Sequence, residues 1–386
     1  MIEKEKINWI YKKIFTIRFF EERIKKIAKE KTVPGYLHTC IGSEAICVGV
    51  MAALNQDDWI SSTYRNHGHA IAKGCELNEI TSEIYGRKTG ICKGRGGSMH
   101  ISDFSKGMLG SFGIVAAGPA VVLGAALQEK INKSNKTCVS FFGDGAIHNG
   151  AFHEAAGLAK LWNIPMIFVC ENNGYAEATA TDWHLNTKEL SDITKAYDML
   201  SYIGDGAIHN GAFHEAAGLA KLWDIPMIFV CENNGYAEAT ATDWHLNTKE
   251  LSDITKAYDM LSYIGDGNNV FEVYDISKKA INEAKQKNTP IFLEFKNYRF
   301  SGQYEGDTQL YQPQEEIDKA KQNDPIKLAK ENSSKYGLNK NNLEKIINEA
   351  KEEVDKAFDF ADTQPWPQPE DALEEVYVNY PVEINR

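Results

Sequence analysis

The chain has 386 residues, 43% of them hydrophobic and 25% charged, with a formal net charge of −12. That is enough apolar material for a core of enzyme size. The negative balance argues against nucleic acid or an anionic membrane as partner, while leaving room for an anionic cofactor in a local positive pocket.

The N-terminus, MIEKEKINWIYKK, lacks the apolar stretch of a signal peptide, and no run approaches the ~18 apolar residues of a membrane span, so a cytoplasmic protein is expected. Seven cysteines, an odd number without a CxxC pair, fit reduced buried thiols better than a disulfide framework or a zinc site.

The first segment places Ile7, Ile10, Tyr11, Ile14 and Ile17 at helical spacing, which predicts an amphipathic helix. From Pro34 to Gly113 the sequence is rich in Gly and His, with too many turn signals for one long element. Strand and helix then alternate: a helix from Pro119 to about Lys130, a strand at Thr137–Phe142, a Gly-Asp-Gly turn, a helix with Ala155, Leu158, Ala159 and Trp162 on one face, and a strand at Pro165–Cys170. Val270–Gln286 reads as a helix and Pro290–Lys296 as a strand. Such alternation implies an α/β fold, a parallel sheet flanked by helices. After Tyr311 the chain turns helical and polar. Asp324-Pro325 is an N-cap with proline at the first helical position, and Leu343, Ile346, Ile347, Ala350, Val354, Ala357, Phe358 and Ala361 draw an apolar stripe. We therefore divide the chain into an α/β domain, 1–312, and a helical C-terminal extension, 313–386, whose Pro- and acid-rich end is expected to wrap a partner or the surface.

Residues 143–203 and 204–264 are the same 61-residue text, differing only where Asn163 becomes Asp224. Gly-Asp-Gly opens each copy and recurs at 265–267, so every junction carries the same tripeptide. Solenoid repeats drift and recur three times or more; this one arose by slippage between short matching stretches or by an error of sequence assembly. Taking one 61-residue copy from the 386 leaves a parent of 325 residues. The surplus is expected to loop out at the polar stretch 176–189, leaving the chemistry to copy one and exposing the apolar strand 225–230 of copy two if that strand finds no sheet.

Asp144 follows one predicted strand and Asn172-Asn173 the next, with a helix between. In a right-handed strand–helix–strand unit both lie on the sheet edge where open α/β folds bind ligands. A carboxylate and an amide oxygen beside a glycine turn suit Mg²⁺ holding a diphosphate. Each tripeptide alone is more often a plain turn. Their pairing, 29 residues from Asp144 to Asn173, resembles the thiamine-diphosphate motif.

The resemblance covers nearly all of the parent. PGYLHTCIGSEA (34–45), STYRNHGHAIAKG (62–74), YGRKTGICKGRGGSMH (85–100), GIVAAGPAVVLGAAL (113–127), FFGDGAIHNGAFHEAAGLAKLW, MIFVCENNGYAE and KNYRFSGQYEGD (296–307) resemble, in order and spacing, the alpha subunits of thiamine-diphosphate-dependent 2-oxo-acid or acetoin dehydrogenases. The resemblance implies a thiamine-diphosphate-binding fold. It makes Asp144, Asn173 and the main-chain carbonyl of Tyr175 the Mg²⁺ ligands; the natural entry strand, Thr137–Phe142, directly before copy one favours these over Asp205, Asn234 and Tyr236 of copy two, which stay the alternative. It puts Gly145 and Ala146 on the diphosphate, Tyr64 and Arg65 on phosphate, Gly113 and Val115 on the aminopyrimidine, and Arg299 among the cofactor contacts. His67 takes the place of the active-site histidine. His69, His100, His148 and His153 read as structural, because their spacing gives no ligand pair. The GRGGSMH turn is either a cofactor-proximal loop or a flexible surface turn. Gln303 stands where the family usually has histidine, which removes a titrating group from that loop.

The implied activity is cleavage of a 2-oxo acid or acetoin and transfer of the acyl or hydroxyalkyl group to a lipoyl carrier. The carboxylate that activates the aminopyrimidine comes, in that family, from a beta subunit. The partners implied are therefore an α₂β₂ heterotetramer and a lipoyl acyltransferase component. Pyruvate and acetoin lead as substrates, branched-chain oxo acids following. A nicotinamide-dependent oxidoreductase would need G-x-G-x-x-G after a strand, which no strand here shows. A chain disabled by its duplication is the other alternative.

Overall fold

The computed structural model describes residues 2–30, 32–33, 35–143, 149–162, 164, 166–171, 175–176, 179–180, 228–233, 236–237, 240–241, 252, 261–287, 291–298, 300 and 314–373. They form an α/β architecture of parallel strands with helices packed around them. The opening periodicity folds as α1 (Lys4–Glu30), and Ile7, Ile10, Tyr11, Ile14 and Ile17 are all buried.

The Gly- and His-rich stretch condenses into short elements: α2 (Glu44–Ala53), β1 (Trp59–Thr63), α3 (His67–Lys73), α4 (Leu77–Ile84) and β2 (Met108–Phe112). Hydrophobic periodicity points to neither strand, because β1 reads Trp-Ile-Ser-Ser-Thr. Its hydroxyls are satisfied internally: Ser61 Oγ lies 2.9 Å from Ser140 Oγ, and Ser62 Oγ 2.9 Å from His69 Nδ1. Small hydroxyl side chains also let a helix approach closely. A Cβ on Gly118 would fall 2.9 Å from Ser61 Oγ.

Next come α5 (Ala117–Ile131), β3 (Cys138–Gly143), α6 (Gly150–Leu161) and β4 (Ile167–Glu171), where the periodicity and the apolar runs place them. The two copies fold alike where both are described: the hairpin β5 (Tyr175–Ala176) with β6 (Thr179–Ala180) recurs, after β7 (Ile228–Asn233), as β8 (Tyr236–Ala237) with β9 (Thr240–Ala241). Then follow β10 (Leu261–Asp266), α7 (Val270–Lys287), β11 (Ile291–Lys296), α8 (Gln314–Ala320), α9 (Pro325–Asn332) and α10 (Lys340–Thr363).

Two parallel sheets result, in the orders β2-β1-β3-β4 and β10-β11-β7. β4 and β7 carry the same text and lie side by side, with no ladder between them among the described residues. This corrects one expectation. The copy-two strand is not looped out: β7 pairs with β11 from Ile228↔Ile291 to Asn233↔Lys296. Identical sequences make either copy competent for either neighbour, so each copy pairs on the side nearest in the chain, copy one with β3 and copy two with β11.

The C-terminal helices enter the main core. Ala350, Val354, Ala357, Phe358 and Ala361 of α10 are buried in the cluster that holds Ile10, Phe20 and Ile84, with the Phe358 and Phe20 rings 5.4 Å apart. Asp324 caps α9 as its sequence requires, its Oδ1 accepting from the Ile326 N–H at 2.8 Å ahead of Pro325. The same carboxylate accepts from Arg18 at 2.8 and 3.1 Å, and Arg18 Nε donates to Glu44 at 2.6 Å, so one buried guanidinium ties α1, α2 and the start of α9. Burial works against its charge, and the two carboxylates more than offset that, raising its pKa.

Candidate functional site

Four adjacent parallel strands carry the candidate residues at their C-terminal ends. β1 ends at Thr63 and is followed by Tyr64 and Arg65; β2 ends at Phe112, followed by Gly113; β3 ends at Gly143 and β4 at Glu171, and these two residues are in register. Thr63 pairs with Phe112 and Ser61 with Ser140, so the four ends reach one edge. That is the edge at which open parallel sheets bind ligands.

Asp144, Gly145, Ala146, Asn173 and Arg299 lie outside the described residues, as do Ser301 and Gln303. Tyr175, two residues beyond Asn173, opens β5. Among the described residues no cluster of His, Cys, Asp or Glu is grouped to hold a metal. Of the seven cysteines, the five whose side chains are described are free, and four of these are buried.

At the end of β1, Arg65 Nη1 donates to Thr39 O at 2.5 Å, which aims the guanidinium across the segment 39–41. The Tyr64 ring packs against His38, centroids 4.6 Å apart. His38 has a buried Nδ1 with no hydrogen bond among the described residues, and burial, reinforced by Arg65 and His67, pushes its pKa down to about 3. A neutral imidazole beside the Tyr64–Arg65 pair is a group to which the sequence alone assigns no role, although it sits in one of the resembling segments.

At the end of β2, Gly113 approaches the His100 ring so closely that a Cβ would lie 3.1 Å from its Cε1. Ile114 and Val115 are exposed, and Ala116 turns the chain into α5 with φ +70°. The backbone of 113–115 thus stands at the surface of the edge, as a contact to a flat ring requires.

His67 is placed differently from an exposed acid–base group. It starts α3 with its ring fully buried, Nδ1 lying 3.0 Å from Glu21 Oε2 and Nε2 lying 2.8 Å from Ser98 Oγ. Both ring nitrogens are engaged within the chain. Nor is the GRGGSMH turn a loose one. Glu83, fully buried at the end of α4, accepts from the amides of Cys92 at 2.8 Å, Gly94 at 2.8 Å, Gly96 at 2.6 Å and Gly97 at 3.0 Å. The glycines are needed for the wrap: a Cβ on Gly96 would meet the His100 carbonyl oxygen at 2.3 Å, and Gly94, at φ +76°, would meet that of Gly86 at 2.7 Å. From outside, the C-terminal segment holds the same turn, Arg95 Nη2 donating to the Asp371 carbonyl, and also the residues ahead of it, Lys88 Nζ donating to the Asp371 carboxylate at 2.8 Å and Arg87 stacking on Trp366 at 4.0 Å. The only sequence signal for Glu83 and Glu21 is a carboxylate on a helix face otherwise apolar.

Known proteins resemble this chain along nearly its whole length. The family model described as the dehydrogenase E1 component matches residues 12–201 and again 199–370, dividing close to the boundary between the copies. The chain is 34% identical over 380 residues to the acetoin:2,6-dichlorophenolindophenol oxidoreductase alpha subunit of Bacillus subtilis, covering 98% of this chain and 96% of that one. It is 35% identical over 381 residues to the Cupriavidus necator protein of the same name, with the same coverage. The pyruvate dehydrogenase E1 alpha subunit of Zymomonas mobilis is 30% identical over 379 residues, 98% of this chain and 89% of that one.

Proposed function

Because the chain belongs to the dehydrogenase E1 component family, we propose that it is the alpha subunit of a thiamine-diphosphate- and Mg²⁺-dependent dehydrogenase acting on acetoin or a 2-oxo acid. The observation that carries this reading is the shared edge: every residue the resemblance assigns to the cofactor or metal from Tyr64 through Asn173 follows closely, in chain order, the C-terminal end of one of four neighbouring parallel strands. Acetoin stands first, since the acetoin relatives reach 34–35% identity against 30% for the pyruvate relative.

The described residues fit the cofactor. Arg65 and Tyr64 stand at the end of the central strand β1, where a guanidinium fork suits phosphate. Gly113 and Val115 offer backbone at the exposed turn before α5. Asp144, Asn173 and the Tyr175 carbonyl would hold Mg²⁺, Gly145 and Ala146 the diphosphate, and Arg299 a further cofactor contact. When bound, the cofactor supplies the electron sink for cleaving the bond beside the carbonyl. His38, kept neutral by its surroundings, can hydrogen-bond a reacting oxygen without carrying charge. The beta subunit, in an α₂β₂ assembly, supplies the activating carboxylate, and the lipoyl acyltransferase component takes the product group. No helix among the described residues is long and apolar enough to cross a membrane.

Isothermal titration of thiamine diphosphate with Mg²⁺ into the chain and its beta subunit tests the reading. Binding is expected for the wild type and lost in Asp144→Ala, since Mg²⁺ dispenses badly with a ligand. Unchanged affinity in the variant would remove the metal assignment. A wild-type complex that binds nothing would favour a chain disabled by its duplication.

A further inference from the structure

We propose that Glu21, His67 and Ser98 form a positioning chain, in which His67 acts through Ser98 on the site loop and exchanges no proton with substrate. The proposal rests on the cofactor reading above. Its elements come from three places: Glu21 from the middle of α1, His67 from the first turn of α3, and Ser98 from the end of the glycine turn. Glu21 and His67 are fully buried and Ser98 is 8% exposed.

The hydrogen bonds fix the roles. A carboxylate only accepts, so the His67 Nδ1 that lies 3.0 Å from Glu21 Oε2 carries hydrogen. Nε2, 2.8 Å from Ser98 Oγ, is then the nitrogen that can take the hydroxyl hydrogen. The other Glu21 oxygen accepts the Cys40 N–H at 3.1 Å, linking the chain to the segment that carries His38. Ser98 is gripped a second time, its carbonyl accepting from Asn66 Nδ2 at 2.9 Å. Two residues on, His100 lies against Gly113. The chain therefore spans from α1 to the loop that packs on the exposed turn 113–115, and a shift of Ser98 is passed to that turn and, through Cys40, to His38. Phe20 packs edge-on against the imidazole at 5.7 Å, so among the described residues the ring is enclosed and both its nitrogens are engaged.

The test uses the full chain with its beta subunit. Turnover and the thiamine diphosphate concentration for half activity are measured for the wild type, His67→Ala, His67→Gln, Ser98→Ala, Ser98→Thr and the double alanine variant. Loss of one hydrogen bond is worth roughly tenfold. His67→Ala and Ser98→Ala should each lower turnover by about that factor, and the double variant should fall no further. His67→Gln, which keeps a donor and an acceptor, and Ser98→Thr, which keeps the hydroxyl, should recover most of the loss. Wild-type turnover in Ser98→Ala beside a drop of about 10² or more in His67→Ala would overturn the proposal, since that is the range of direct acid–base groups; so would a glutamine variant as slow as the alanine one. If the wild type shows no cofactor-dependent turnover, it is the functional reading that fails. The positioning chain is then judged by thermal unfolding of the same set, where additive losses from His67→Ala and Ser98→Ala would overturn it.

Discussion

Two histidines whose charge the fold suppresses store a dependence on pH. His69 is 1% exposed, between Ser62 and the face of Phe141, and burial pushes its pKa down to about 4; His38 is lowered to about 3. Both sit below the ordinary ~6.5 of the unfolded chain, so on acidification the unfolded state takes up protons first. Stability is fully present above about pH 6.5 and declines as pH falls toward 4, with His69 contributing on the order of 3 kcal/mol over the whole window. Urea unfolding at pH 7 and pH 5 should show this, and His69→Asn should shrink the difference between the two. An equal difference in the variant would mean that the ring is charged in the fold. None of this is legible in the sequence, which marks His69 as structural only for want of a ligand pair and assigns His38 no role. The same holds for Glu83, whose four amide partners come from a turn that follows it by nine to fourteen residues.

Helix packing is the scale at which the sequence is most nearly sufficient. The apolar spacing predicts the buried face of α10 and the first half of that of α1, and Asp324-Pro325 by itself marks the start of α9. It fails for β1 and β2, because short strands whose hydroxyls are paired inside lack an apolar run, and so the two strands that bear Tyr64, Arg65 and Gly113 pass as loop. Close helix contacts are equally silent. Gly49 of α2 faces α7 so tightly that a Cβ would lie 2.5 Å from Val273 Cγ1 and 3.1 Å from the Val270 carbonyl oxygen. Gly49→Ala should therefore cost about 1–3 kcal/mol, as overpacking does. A lowered urea midpoint with an unchanged slope is the expected record. An unaltered midpoint would place α2 and α7 further apart.

At the scale of the molecule, the duplication is plain in the sequence, but its accommodation is not. The apolar strand of each copy joins a different sheet, β4 beside β3 and β7 beside β11, and copy two also supplies the start of β10. Deleting 204–264 removes β7 and the first four residues of β10, which the identical Leu200–Ile203 replace ahead of Gly265-Asp266, and it offers the free side of β4 to β11, so the expected product is one six-stranded sheet in the order β2-β1-β3-β4-β11-β10. The shortened chain should be more soluble and should keep cofactor binding, with slower hydrogen exchange in Ile167–Glu171 than the full chain shows. In the full chain Asp144→Ala should abolish binding and Asp205→Ala leave it; the reverse would assign the metal to copy two. The side-by-side placement of β4 and β7 without a ladder has a mechanical meaning as well. Hydrogen-bonded strands resist being drawn apart in unison, whereas a seam held only by side chains gives way first. Under load, once the packing of α1 on α10 and of α2 on α7 that spans both sheets has opened, β4 should leave β7 before any hydrogen-bonded pair of the described strands yields.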